Sequence, residues 1–346
     1  MHNYIKNREK LKIIDQTEIS NLINSCTNLF ISKDWLSVIT KTYGIGFKAV
    51  ISDDNNFILP FCLIHDEFYS SVKSIPFGDY TLNNCGENEL NTALQLLRKN
   101  YPDHYIETSV VSKTTPSVDE FTSTKYGYLV QVDIKKWRES RDWKEAYERN
   151  IRNALNFGLV VRINKNEEAL RDFYTLHEQL RIHKFKKLPQ PYKFFTAIYD
   201  NFVKTGSGFL LEAWNSDKLI ASWVILSYHD TLYYKLGASD PNYLHLRPND
   251  LLFRSLMQYG SDNSFKTIDL GFSGAAKSYE GLIRFKSKEG GDKTPIFRIE
   301  YYPENFPEEN LNRKIKFKQE ITKNALASND LNVIRETSDR FYHKFA

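Results

Sequence analysis

In a chain of 346 residues, the stretch GLIRFKSKEGG (281–291) sets Arg284, Lys286 and Lys288 at alternate positions between glycines. It follows KTIDLGFSG (266–274), which reads as a short buried strand ending at a glycine. A cation carried out of a core strand, where glycines let the backbone come close, can stabilise negative charge developing on a substrate. The same alternation fits the solvent face of an edge strand, and both readings stand. Asp269 alternates with Ile268 and Leu270, so its carboxylate serves either as a base or orienting group in a groove or as a buried hydrogen-bonding group.

Other chemistries find little support. No GxSxG, P-loop or GxGxxG occurs. HEQLRIH (177–183) has Arg181 where a zinc-protease helix needs its second histidine, so no metal site is expected and His177 reads as a core residue. Cys26, Cys62 and Cys85 are odd in number, lack CxxC spacing and fall outside the candidate region. They suggest neither a disulfide framework, nor a zinc module, nor a covalent cysteine mechanism.

These residues need elements to hold them. WKEAYERNIRNALNFG (143–158) reads as an amphipathic helix closed by Gly158, with Arg149 and Arg152 off its apolar face. GFLLEAW (208–214) and KLIASWVILSYH (218–229) form a hairpin, and TLYYKLGAS (231–239) is the next strand. DPNYLHLRPN (240–249) leads into a helix at 250–259; KTIDLG (266–271) and PIFRIEYY (295–302) are later strands. The first part repeats this order in shorter form: a helix over 29–44 capped by Ser32, two antiparallel strands, a helix at 88–99 and a strand at 103–110. Residues from 306 onward read as charged helices.

Length suggests two domains of ~100–200 residues each. Hydrophobic content is 41%, charged content 26% and net charge +4, ordinary for a globular chain and too small by itself to indicate nucleic acid. Between Lys135 and Lys187, however, fourteen Lys or Arg face eight Asp or Glu, either a solvated helical surface or a polyanion site. No run reaches the ~18–20 apolar residues of a membrane span, and MHNYIKNREKLKIIDQ has no apolar core of a secretory signal. The expectation is a cytoplasmic protein without an integral membrane segment.

The ordered set YYKLGAS, LRPNDLLFRSLMQYG, KTIDLG and GLIRFKSKEGG resembles the second half of tandem GNAT-fold acyltransferases. That superfamily includes the Fem-type (FemAB-like) peptidoglycan aminoacyl ligases and their acetyltransferase-like relatives. ERNIRNALNFGLVVR (148–162) is similar to the basic helix opening the second domain of that group. The resemblance runs from about residue 126 to 292.

It implies an α+β chain of two tandem GNAT-like domains, each a mixed, mostly antiparallel twisted sheet flanked by helices. The expected division is residues 1–130 and 131–305, with helix 306–346 returning to the first domain. Acyl transfer to an amine passes through a tetrahedral oxyanion, and Phe285-Lys286 matches the family pair whose lysine lines the reaction centre. The resemblance thus casts Lys286 as oxyanion stabiliser, with Asp269 as base or orienter and Tyr279 and Glu280 flanking. Arg284, Phe285, Tyr234, Leu236 and Gly237 would meet substrate, the amides of 236–238 holding the acyl carbonyl; Gly237 also fits a simple bulge.

The loop HLRPNDLLF (245–253) lacks the glycines of a coenzyme A turn. Pro248 can start a helix there, Asn249 or Asp250 can cap it, and Arg247 can pair a phosphate, as can Arg149 and Arg152. The donor is either acyl-coenzyme A or aminoacyl-tRNA, and the acceptor an amine of a small molecule, envelope or sugar precursor. Three functions follow: an N-acyltransferase, an aminoacyl-tRNA-dependent interpeptide-bridge ligase, or a non-catalytic binding module. None calls for DNA.

Overall fold

The computed structural model describes residues 11–22, 28–74, 82–83, 86–139, 144–274, 280–288 and 290–345. Cys26, Cys85, Trp143 and Tyr279 lie outside them. In chain order come β1 (Leu11–Asp15), α1 (Gln16–Leu22), α2 (Lys33–Tyr43), β2 (Lys48–Ser52), β3 (Ile58–His65), β4 (Ser70–Lys73), β5 (Leu82–Asn83), α3 (Glu87–Asn100) and β6 (Tyr105–Val111). Next are β7 (Thr122–Asp133), α4 (Ile134–Glu139), α5 (Lys144–Asn156), β8 (Leu159–Asn164), α6 (Glu167–Gln179), α7 (Tyr192–Ile198), β9 (Gly208–Asn215), β10 (Lys218–Tyr228) and β11 (Thr231–Ser239). The last are α8 (Pro248–Asp262), β12 (Thr267–Gly274), α9 (Glu280–Lys288), β13 (Asp292–Tyr301), α10 (Glu308–Ala327) and α11 (Leu331–Phe341). The chain is α+β, its mixed and mostly antiparallel sheets flanked by helices.

Packing divides it into two units. One holds Met1–Leu36, Gly44–Tyr126 and Pro295–Arg313; the other holds Ser37–Tyr43, Gly127–Thr294 and Lys314–Ala346. In the first, the strand order is β1-β2-β3-β4-β6-β13, with β5 beside β6. Ser32 Oγ accepts a bond from the Trp35 amide at 3.2 Å, the expected cap of α2.

In the second unit the order is β7-β12-β11-β10-β9-β8. Leu211, Ala213, Ala221, Trp223 and Ile225 face α5 and α8, joining Tyr147, Ile151, Leu252 and Phe253 in one core. The intervening Leu210, Glu212, Ser222 and Val224 are buried too, because α6 covers β9 to β11. Burial on both faces explains why β9 and β10 read as continuous apolar runs.

Two features bear on the expectations raised by the sequence. Residues 280–288 are helix α9, not a strand. Leu282, Ile283, Phe285 and Lys286 are its inward side, so Arg284 and Lys288, four apart, share the exposed side while Lys286 points the other way. Strand β12 also runs past Gly271 to Gly274, as the longer run 266–274 reads and the shorter run 266–271 does not.

His177 is a core residue, as its place on the apolar face of α6 suggests. It lies between Phe173 and Phe195, with Nε2 2.7 Å from Gln190 Oε1. Burial pushes its pKa down to about 4 from the usual 6.5. The unfolded chain therefore takes up a proton that the folded chain refuses, and stability falls as pH drops from 6.5 towards 4. Urea unfolding at pH 7 and pH 5 should show a loss of about 2 kcal/mol from this group, at roughly 1.4 kcal/mol per pH unit. His177→Phe should remove that part of the slope; an unchanged slope would contradict the assignment.

Candidate functional site

The candidate site begins where two strands part. β11 pairs with β10 along its whole length, from Thr231 to Ser239. With β12 it pairs, in parallel, only where Thr231–Tyr233 meets Thr267–Asp269. Beyond that point the β12 side of residues 234–239 has left the ladder and the strands splay, a place called the notch below. The register of β11 against β10 also shifts between Ile225–Tyr234 and Val224–Leu236, which leaves Lys235 as an extra, bulged residue.

Strand β12 is bulged at the same point. Asp269 is paired with Gln131 and Phe272 with Leu129, so Leu270 and Gly271 together oppose the single residue Val130. Gly271 takes φ +73°, a conformation open to glycine and costly for any other residue. Asp269 fixes the bulge: Oδ1 accepts from the Gly271 amide at 2.7 Å, while Oδ2 accepts from Gln131 Nε2 at 3.1 Å. The residue is 1% exposed, so of the two roles its position in the sequence allows, hydrogen bonding within the core describes the geometry.

The bulge turns two carbonyls towards α9. Lys286 Nζ donates to Gly271 O at 3.0 Å and to Phe272 O at 2.9 Å, and the residue is 2% exposed. Charge-assisted bonds of this kind offset the cost of removing an ammonium from water. Its nitrogen lies 6.0 Å from the centre of the Tyr234 ring. Tyr234 packs edge-on against Trp223 at 4.6 Å, and Phe285 also meets Trp223 edge-on, at 6.2 Å. Burial raises the Tyr234 hydroxyl above its ordinary range, so it stays protonated at neutral pH.

Gly237 makes room for that tyrosine. A Cβ at this position would lie 2.0 Å from the Tyr234 hydroxyl oxygen. Asn249 extends the group towards α8, its Oδ1 accepting from Trp223 Nε1 at 3.1 Å and Ser239 Oγ at 3.0 Å. The structure thus brings Lys286, Phe285, Tyr234, Gly237, Asn249 and Asp269 to one region, with Leu236 partly exposed on the splayed segment. Arg149, Arg152, Arg247 and Arg284 are exposed on the surface instead. Sequence reasoning did not identify Trp223, Ser239 or Gly271 as part of this group; the Asp-x-Gly spacing of 269–271 was the available signal for the bulge.

The N-terminus of α8 is built differently from a glycine cradle. Arg247 takes φ +64° and Pro248 occupies the first turn. Asp250, buried in that turn, accepts from Asn150 Nδ2 at 2.9 Å and pairs with Lys288. A carboxylate thus occupies ground that a pyrophosphate would need. Among the described residues, no group of His, Cys, Asp and Glu could hold a metal ion.

Residues 141–286 match the family model described as "Acetyltransferase (GNAT) domain". A crystal structure of FemX aligns with TM-score 0.62 and 14% identity, over 87% of this chain and 99% of that one. L-PGS from Bacillus licheniformis gives 0.56 and 12%, over 86% and 95%. The C-terminal domain (DUF2156) of a putative lysylphosphatidylglycerol synthetase from Agrobacterium fabrum gives 0.55 and 10%, over 82% and 90%. Identities this low speak to a common fold, which bears out the resemblance read in the sequence. No curated protein sequence matches the chain.

The Tyr234–Gly237 contact yields a direct test. Gly237→Ala should destabilise the protein by about 1–3 kcal/mol through overpacking. Adding Tyr234→Phe, which deletes the obstructing oxygen, should recover part of that loss in a double-mutant cycle. Strict additivity of the two changes would refute the contact.

Proposed function

We propose that this chain, a GNAT-fold acyltransferase of the FemAB-like kind, moves an acyl or aminoacyl group onto an amine of a cell-envelope or sugar precursor at the β11–β12 notch. The observation that carries the proposal is the buried Lys286, anchored through the Gly271 bulge at the point where the strands part. An acyl carbonyl laid there would meet whichever amides of 236–238 point away from β10 on one side and the ammonium region on the other. Such donors lower the barrier most when they are fixed before the oxyanion forms, each being worth about 3 kcal/mol. In this account Asp269 is a positioning residue: it shapes the bulge that holds Lys286 and takes no proton. The protonated Tyr234 hydroxyl is a further donor in the same region.

Aminoacyl-tRNA is a second donor reading, favoured by one observation. The first turn of α8 is filled by Asp250 with Asn150 and Lys288, and its entry residue is Arg247 instead of a run of glycine amides. A donor whose phosphates bind elsewhere needs no cradle there. The exposed Arg149, Arg152 and Arg247 are the groups proposed to meet phosphates of the donor or activated precursor.

Thermal melting with a ligand panel tests the proposal: acetyl-coenzyme A, a longer acyl-coenzyme A, an aminoacyl-tRNA and a UDP-sugar. A ligand at ~100 times its Kd adds about 2.7 kcal/mol and a readable rise in Tm. The expected result is a rise with at least one donor and one acceptor class. A rise with tRNA that fades steeply between low and moderate salt selects the aminoacyl donor. No rise with any member would contradict the enzyme reading and favour a non-catalytic module of the same fold.

A further inference from the structure

We propose that the end of the second unit formed by the C-terminus of α5, the first residues of β8 and the loop before α8 docks on an anionic phospholipid surface. The inference gives Arg149, Arg152 and Arg247 lipid headgroups as partners in place of the donor phosphates proposed above, and it does not depend on which group is transferred. Its first support is the distribution of exposed apolar side chains. Among the described residues ten large hydrophobics are exposed, and three of them, Leu155, Phe157 and Leu244, fall at the end of α5 and in the loop before α8. Leu155 and Phe157 are 54% and 53% exposed, and Leu244 belongs to the same group. The two segments meet: the Phe157 ring contacts His245 edge-on at 6.4 Å. Local structure explains why these side chains project. Gly158 takes φ +74° to end α5 and turn the chain into β8, leaving Leu155 and Phe157 on the outer side of that turn.

The second support is charge. Residues 149–165 and 241–249 contain Arg149, Arg152, Arg162, Lys165 and Arg247, and no Asp or Glu. Arg162 stacks over Trp214 at 4.7 Å. Arg149, Arg152 and Arg247 are exposed, and among the described residues they form no ion pair. Apolar side chains surrounded by arginines without counter-charges match the layered chemistry of a bilayer surface, acyl chains beneath anionic headgroups.

Alternative occupants fit less well. A second copy docking by the same face would bring one set of uncompensated cations against another, although among the described strands β8 has no neighbour on its outer edge. Single-stranded nucleic acid would use the arginines, but its bases stack on aromatic rings and gain little from Leu155 and Leu244. No helix among the described residues is long and apolar enough to cross a membrane, so docking would be peripheral.

Co-sedimentation of the full chain with vesicles tests this without any assay of transfer. Vesicles of phosphatidylglycerol and of phosphatidylcholine are compared at ~0.1 M salt, where screening over ~10 Å leaves contact electrostatics intact. The expected result is at least tenfold tighter partition onto phosphatidylglycerol. Phe157→Asp and the pair Arg149→Gln with Arg152→Gln should each lower it at least tenfold, with unchanged melting temperatures in the absence of lipid. Leu244→Asp, on the other segment, provides a second apolar variant should Phe157→Asp fail to fold. Equal partition onto both vesicles, no partition, or variants that partition like wild type would each overturn the proposal. So would a concentration-dependent dimer that Phe157→Asp dissolves without any effect of lipid, which would make the face a contact between copies.

Discussion

One carboxylate determines the shape of the candidate site. Asp269 bonds the amide two residues ahead of it, and that bond holds Gly271 in a conformation that a regular strand cannot contain. Everything else in the notch depends on it. The bulge begins where the short parallel pairing of β12 with β11 stops, and it directs two carbonyls to one spot, where Lys286 lies buried. Neither charged group would be stable alone in the core: a buried carboxylate or ammonium requires compensating hydrogen bonds, and here Lys286 bonds two backbone carbonyls while Asp269 accepts from a backbone amide and from Gln131. The site is therefore a property of backbone geometry as much as of its side chains.

The two units share a plan, and they differ at the place where chemistry is proposed. In the first, β2, β3 and β4 form an antiparallel meander, α3 follows, and β6 returns to pair in parallel with β4 across Ser71–Lys73 and Tyr105–Glu107. The second unit repeats this with β9, β10, β11, α8 and β12, again with a three-residue parallel pairing. The helices in the corresponding place open differently. Helix α3 begins with Glu87 and Glu89, and Glu89 Oε2 accepts from the Gly86 amide at 3.2 Å, so its N-terminus is already satisfied by an anion. At α8 the carboxylate is balanced by Lys288, and Asn249 turns inward to Trp223 and Ser239 beside the notch. The second unit combines the splay with a buried cation.

Much of this was legible in the sequence. The meander β9–β11, the amphipathic α5 closed by Gly158 and the Pro248 start of α8 follow from local patterning, which the structure preserves. The ordered motifs of residues 231–291 also pointed to the correct fold and to Phe285-Lys286. What misled was a four-residue window: Ile-Arg-Phe-Lys alternates like a strand, although Leu282, Ile283, Phe285 and Lys286 together have helical spacing. The bulge at Gly271 left only the Asp-x-Gly spacing as a local trace, and its bond to a lysine fifteen residues further along the chain left none. Such nonlocal constraints leave no periodicity behind. The inward arrangement of Trp223, Tyr234 and Asn249 is likewise set by tertiary packing, with Gly237 its single local trace.

The most direct test of the account is the transfer rate of Lys286→Met with a donor that binds the wild-type protein, measured beside the donor Kd and the melting curve. An oxyanion-stabilising Lys286 predicts a fall in kcat of about 100- to 1000-fold, with donor Kd little changed and a variant that still melts cooperatively. A folded Lys286→Met variant that transfers at the wild-type rate would contradict it, and would reduce Lys286 to a structural pin for the β12 bulge.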